Sequence, residues 1–233
     1  MRDVVRDDPA APDPGFAELY AALPEATDLE PWLSFCRPPG TRTLYLGIGA
    51  GRLAVPLARA GVPLVGVDSH PGMLAHLRRR APGIETHLAR IETLRLEERF
   101  RRVIAPSNIL STRPRLRAAA RHLAPRGRLA FELLNPHWLD AGPHPGVRVT
   151  DRRPGEVDLE LDYETGHTQV ATVPLLWPED IERYCAAAGL DLSRLGATDG
   201  ALGLDEASSF WVVAERRRDE GTSLDEPASS RRR

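Results

Sequence analysis

Short, wholly apolar runs alternate along this chain with segments whose apolar residues recur every three or four positions. The runs at 44–46 and 64–67 are bounded by glycine and read as buried strands. Runs at 84–88, 100–105 and 128–134 predict three more. Between them, 53–60, 71–80 and 112–123 carry helical spacing. Within 71–80, Met73, Leu74 and Leu77 share one face, and Arg78, Arg79 and Arg80 stand at the end where positive charge suits the helix dipole. Strands alternating with helices predict an α/β fold, a doubly wound and mostly parallel sheet with right-handed crossovers.

Upstream, the pattern turns helical at Phe16, with Leu19, Tyr20 and Leu23 on one face. A second helix is predicted over 28–36, with Thr27 as N-cap and Leu29, Trp32, Leu33 and Phe35 as its apolar positions. After the fifth strand the period changes to two. Segments 147–150, 157–163 and 168–176, with Gly155 and Gly166 between them, predict a small antiparallel sheet inserted at about 147–176. A helix opened by Pro178 and strands at 190–195 and 210–214 complete a single domain over 15–217. Residues 1–14 are rich in Asp, Arg, Pro and Ala without periodicity, and 218–233 are charged and Ser-rich. Both read as disordered tails.

Charge narrows the classes of partner. The 31 basic residues, all arginine, face 33 acids, for a net charge of −2. That balance gives no reason to expect a nucleic-acid or membrane-surface partner. Two cysteines, Cys36 and Cys185, are too few for a disulfide framework or a zinc site. The first ten residues are charged and lack an apolar core, and no stretch approaches a membrane span, so a cytoplasmic location is expected.

Chemistry concentrates at the first strand. Gly47, Gly49 and Gly51 follow it at alternate positions, where a chain turning into a helix needs positive φ or close approach to a ligand. The helix beyond is expected to aim free N–H groups at the turn. Asp68 ends the second strand, where an acid can accept both hydroxyls of a ribose. A dinucleotide fingerprint would place its third glycine where Arg52 stands, so a nicotinamide-dependent oxidoreductase is disfavoured.

The G-x-G-x-G spacing resembles motif I of the class I S-adenosylmethionine-dependent methyltransferases. Residues 69–74 resemble the stretch after that family's ribose acid, and 125–129 its turn into the fifth strand. The resemblance covers roughly residues 16–217. It implies a seven-stranded Rossmann-like sheet, with the inserted sheet as a lid. It implies S-adenosyl-L-methionine as cofactor and methyl transfer to a small-molecule N or O nucleophile. The cofactor contacts it implies are Tyr20, Gly47, Ile48, Gly49, Gly51, Asp68, Ser69, Met73, Arg90, Ile91 and Pro106. Tyr20 reads equally as an amphipathic core residue, and Met73 as core or adenine packing. His137 and Asn108, at the ends of strands five and four, are the candidates for a base and a substrate contact. Asn135 beside His137, and Tyr163 and Trp177 from the inserted sheet, could line the acceptor face. The sequence departs from the family in two places. Tyr45 stands where motif I usually has an acid, and Arg90 where an acid usually meets the adenine amino group. These departures leave open a second reading, a member that is non-catalytic or repurposed.

Overall fold

The computed structural model describes residues 2–37 and 40–217. The early elements are β1 (Asp3–Arg6), α1 (Pro14–Ala22), α2 (Trp32–Cys36), β2 (Thr43–Leu46), α3 (Ala54–Arg59), β3 (Leu64–Asp68), α4 (Pro71–Arg80) and β4 (Glu85–Leu88). There follow β5 (Phe100–Ala105), α5 (Arg113–Arg121), β6 (Leu123–Leu134) and α6 (Pro136–Asp140). Then come β7 (Val147–Arg153), β8 (Glu156–Asp162), β9 (His167–Pro174), α7 (Ile181–Ala186), β10 (Leu190–Ala197) and β11 (Ser209–Arg216).

The main sheet has seven strands in the order β10-β11-β6-β5-β2-β3-β4. Pairings from β6 through β4 are parallel; β11 runs antiparallel to both β6 and β10. The chain winds outward from β2 to β4, then crosses back to β5 on the other side of β2. That reversal opens a crevice at the carboxyl ends of β2 and β5. Alternation along the strands sorts the core. Leu44, Leu46, Val103, Phe131 and Val212 face α5 and α7, whereas Tyr45, Ile104, Ala130 and Val213 share the cluster of α2, α3 and α4. Side chains as completely buried as Phe131 contribute about 1.5–3 kcal/mol each by leaving water.

The insertion forms its own sheet, ordered β1-β9-β8-β7, with β7, β8 and β9 antiparallel as their alternation requires. Its fourth strand is a correction. Residues 3–6, read as part of a disordered tail, pair parallel with β9 from Asp3↔His167 to Arg6↔Val170. Val5 is only 3% exposed and packs with Phe16, Tyr20 and Tyr163, so one apolar residue anchors an otherwise polar segment. Residues 218–233, also read as disordered, lie outside the described residues.

Two helix boundaries move as well. α2 begins at Trp32 rather than 28, because Asp28 Oδ1 accepts the Glu30 N–H in a turn and Pro31 disfavours helix at the residue before it. Leu123, read as the end of a helix, opens β6 and pairs with Phe100. Among the described residues no helix is long and apolar enough to cross a membrane.

Candidate functional site

Past β2 the chain turns through Gly47, Gly49 and Gly51 at φ of +70°, +59° and +95°. A Cβ on Gly47 would lie 2.7 Å from Ile109, and one on Gly51 2.6 Å from Leu77; on Gly49 it would meet nothing within 4 Å. The outer two glycines therefore answer to packing, and the middle one borders open space. Three amides of the turn itself are engaged. Gly47 and Ile48 donate to the Val67 carbonyl at 2.8 and 3.1 Å, and Gly49 donates to Asp68 Oδ2 at 2.8 Å. α3 itself starts only at Ala54.

Asp68 Oδ1 accepts from the His70 N–H at 2.8 Å, so two backbone donors hold its carboxylate in place. Burial pushes its pKa above the ordinary 3.8, against the pull of the His70 and Gly49 hydrogen bonds. His70 Nδ1 accepts from the Gly72 and Met73 amides and caps α4. Its Nε2–H donates to the Asp13 carbonyl at 2.9 Å, the tautomer being assigned from these partners. The turn after β3 is thereby tied to the N-terminal segment.

These groups border a cavity of about 990 Å³. Tyr20, Gly47, Ile48, Gly49, Asp68, Ser69, Met73, Arg90, Ile91 and Pro106 all line it. Arg90 lies beside Glu92, which also faces the cavity and accepts from Arg115 Nε at 2.9 Å. Burial raises the Glu92 pKa, but the Arg115 hydrogen bond, a backbone hydrogen bond and the charges of Arg115 and Arg90 together outweigh it, and the net shift is downward.

Six candidates are not brought to the cavity. Gly51 is turned into the packing against Leu77 and Val55. Asn108 Oδ1 accepts from the Leu134 N–H, and its own N–H donates to the Glu132 carbonyl, so it clasps the end of β6. His137 sits in the first turn of α6, its Nε2 2.6 Å from Glu179 Oε1 and its ring edge-on to Trp177. Asn135 is fully buried, capping α6 and bonding the Leu204 and Ala207 carbonyls. Tyr163 donates its hydroxyl to Gln169. The acceptor face expected between β5, β6 and the inserted sheet is therefore not part of this cavity.

The cavity instead extends along the α2 face of the sheet, where sequence reasoning placed nothing. Trp32, Phe35, Tyr45, Glu132, Arg194 and Trp211 line it there. One signal was available: Glu132 is a charged residue in step with Ala130 in a strand otherwise apolar from 129 to 134.

Comparison with known proteins gives a family match and a set of fold relatives. Residues 44–127 match the family model described as Methyltransferase domain. A ubiquinone biosynthesis O-methyltransferase of Bradyrhizobium diazoefficiens is 30% identical over 106 residues, which is 42% of this chain and 42% of that protein. The aligned part thus spans about two fifths of that curated relative's length. Among solved structures, the CcbJ methyltransferase from Streptomyces caelestis superposes at a TM-score of 0.59 with 23% identity, covering 91% of this chain and 93% of that one. CalS10, an amino pentose methyltransferase from Micromonospora echinaspora, gives 0.57 with 21% identity over 87% and 90% of the two chains. At these identities the structural likeness is one of fold.

Proposed function

We propose that this chain, whose residues 44–127 match the family model described as Methyltransferase domain, is a class I, S-adenosylmethionine-dependent enzyme that transfers a methyl group from that cofactor to a nitrogen or oxygen of a small molecule. The observation that carries the reading is Asp68 fixed by the glycine turn at the rim of a cavity. A carboxylate offers about four lone-pair sites, and the two backbone bonds leave others for a pair of ribose hydroxyls. Gly49 borders open space that a side chain would fill, which suits close approach of the methionyl portion. Met73 and Ile91 give an apolar bed for an adenine, with Arg90 and Pro106 beside them and Tyr20 covering from α1. On these features the residues fit the cofactor.

When bound, S-adenosyl-L-methionine supplies a methyl already activated on a sulfonium. What remains for the chain is alignment and exclusion of water, and well-oriented reactants gain effective molarities of about 10⁵–10⁸ M. The main sheet holds Asp68 and the glycine turn rigidly, while Trp32, Phe35 and Trp211 keep the adjoining wall apolar. The names of the relatives support a small-molecule acceptor, one a quinone-pathway O-methyltransferase, the other an amino pentose enzyme with S-adenosylmethionine bound. Tyr45 and Arg90, at the two family acid positions, keep a binding-only member as the rival, and methyl transfer to a metabolite panel separates the two.

Calorimetry with S-adenosylhomocysteine tests the cofactor site. Hydrogen bonds to a charged group are worth about 1.5–3 kcal/mol each, so Asp68→Ala should weaken binding at least tenfold. Unchanged affinity in the variant would remove the ribose assignment, and no binding by the native chain would remove the reading as a whole.

A further inference from the structure

The part of the cavity along α2 has a composition of its own. Trp32, Phe35, Tyr45 and Trp211 are buried at 5%, 7%, 4% and 8% exposure and belong to one apolar cluster. Glu132 stands among them, directly opposite Trp211 across the β6–β11 pairing, so the two side chains share one face of the sheet. Glu132 Oε1 accepts from the Ser209 hydroxyl at 2.7 Å, and Oε2 accepts from the Ser107 N–H at 3.0 Å. Both donors are neutral. Among the described residues no arginine or histidine forms an ion pair with this carboxylate, although it is half-buried.

Three arginines also border this lobe, and none of them pairs with Glu132. Arg52 Nε donates to the Pro24 carbonyl at 3.1 Å, Arg128 Nε lies 3.1 Å from Glu215 with its guanidinium 5.8 Å from the Phe35 ring centre, and Arg194 stacks over the Trp211 ring at 5.3 Å. Tyr45 adds a second polar group. Its hydroxyl has no hydrogen-bond partner among the described residues, and burial, then the nearby Glu132 charge, push its pKa well up, so it stays a neutral phenol. A half-buried carboxylate without a counter-ion, held rigid by neutral donors and walled by aromatic rings, has the chemistry that recognises a cation.

We propose that this lobe is the acceptor subsite and that it takes an amine: the ammonium form is held by the Glu132 carboxylate and the Tyr45 hydroxyl oxygen, it gives a proton to Glu132, and the nitrogen lone pair so freed takes the methyl as the neutral thioether S-adenosylhomocysteine leaves. The inference rests on the methyltransferase reading and narrows it to nitrogen acceptors. Glu132 is a specificity-determining residue in it: an alcohol of the same shape lacks the charge that Glu132 neutralises, and a carboxylic acid is repelled.

The test uses 2-phenylethylamine against its neutral isostere 2-phenylethanol, each titrated into the full chain saturated with S-adenosylhomocysteine, with tryptophan fluorescence and calorimetry as readouts. The amine should bind at least about tenfold more tightly than the alcohol, the difference a charged contact makes. Glu132→Gln keeps the shape and should erase that preference without altering S-adenosylhomocysteine affinity, which doubles as the check that the variant is folded. Tyr45→Phe removes one oxygen only and should reduce the preference about threefold, in line with one neutral hydrogen bond. Equal binding of amine and alcohol by the native chain, no amine binding at millimolar concentration, or a preference that survives in Glu132→Gln would each overturn the proposal. Failure of S-adenosylhomocysteine itself to bind would instead strike the methyltransferase reading, so the two failures are told apart.

Discussion

Gly49 and Gly51 share a left-handed backbone yet answer to different constraints. Replacing either by alanine incurs the conformational cost of about 1–2 kcal/mol for an L side chain in that region. At Gly51 the new methyl also overlaps Leu77 and Val55, adding an overpacking cost of about 1–3 kcal/mol. At Gly49 it projects into the cavity, and the damage goes to ligand binding. Gly51→Ala should therefore show the larger loss in denaturant midpoint, and Gly49→Ala the larger loss in S-adenosylhomocysteine affinity; the reverse order would contradict the packing assignment. His122 shows a different residue-level constraint. It is 2% exposed, with Nδ1–H donating to the Ala118 carbonyl and Nε2 accepting from the Leu96 N–H. Both ring nitrogens are used by the neutral form alone, and burial holds the pKa below the ordinary 6.5. The resulting stability is present above pH 6.5 and is lost as pH falls through the depressed folded value, at about 1.4 kcal/mol per unit of separation. Unfolding measured between pH 7 and 5 should fall less steeply in His122→Gln than in the native chain.

At the scale of elements, the parts with strong periodicity were legible and those resting on one residue were not. β2, β3, β5 and α4 follow from continuous apolar runs or a clean helical face, and the inserted sheet from period two. β1 rests on Val5 alone within Asp3–Arg6, a four-residue segment whose other side chains are polar or exposed, and no window average can find it. The side of the cavity at the glycine turn and Asp68 was readable as a cavity rim because its residues follow strand ends in sequence. The aromatic side was not, since Trp32, Tyr45, Glu132 and Trp211 come from four separate elements that only the sheet order brings together. His137 follows a strand as expected, but it lies apart from the cavity, because Pro136 starts a helix that turns the ring toward Glu179. The β1 pairing also has a testable consequence. Asp7, Asp8, Pro9 and Pro12 border the cavity, and β9 holds the strand that leads into them. Val5→Asp replaces the buried anchor by a charge and should free this segment. Hydrogen exchange in His167–Pro174 should quicken, and bound S-adenosylhomocysteine should dissociate faster. Faster exchange with an unchanged dissociation rate would reduce β1 to a cover for the sheet edge.

For the whole molecule, the cavity is where the N-terminal segment, α1, α2, the glycine turn and the β10–β11 edge meet, so occupancy should be felt in global unfolding. A ligand that binds only the folded chain at 100 times its dissociation constant adds about 2.7 kcal/mol. For a chain of 233 residues each kcal/mol moves the melting temperature by about 2–4 °C, so saturating S-adenosylhomocysteine should raise it by roughly 5–10 °C. The pH dependence of that rise is set by Asp68. Hydroxyl donors favour its ionised form, while burial has already raised its pKa above 3.8. Binding should therefore be level from pH 8 to 6 and weaken as pH falls, beginning higher on the scale than for an unperturbed aspartate. Asp68→Asn keeps an acceptor oxygen but has no charge to titrate in this range, so its weaker binding should show a flatter acid limb. Thermal shifts recorded for both proteins at matched multiples of their dissociation constants would separate this from acid effects on the fold, because the fold's own losses, His122 among them, are common to the two. An acid limb of the same steepness in Asp68→Asn would place the titrating group elsewhere in the cavity and take the ribose contact away from Asp68.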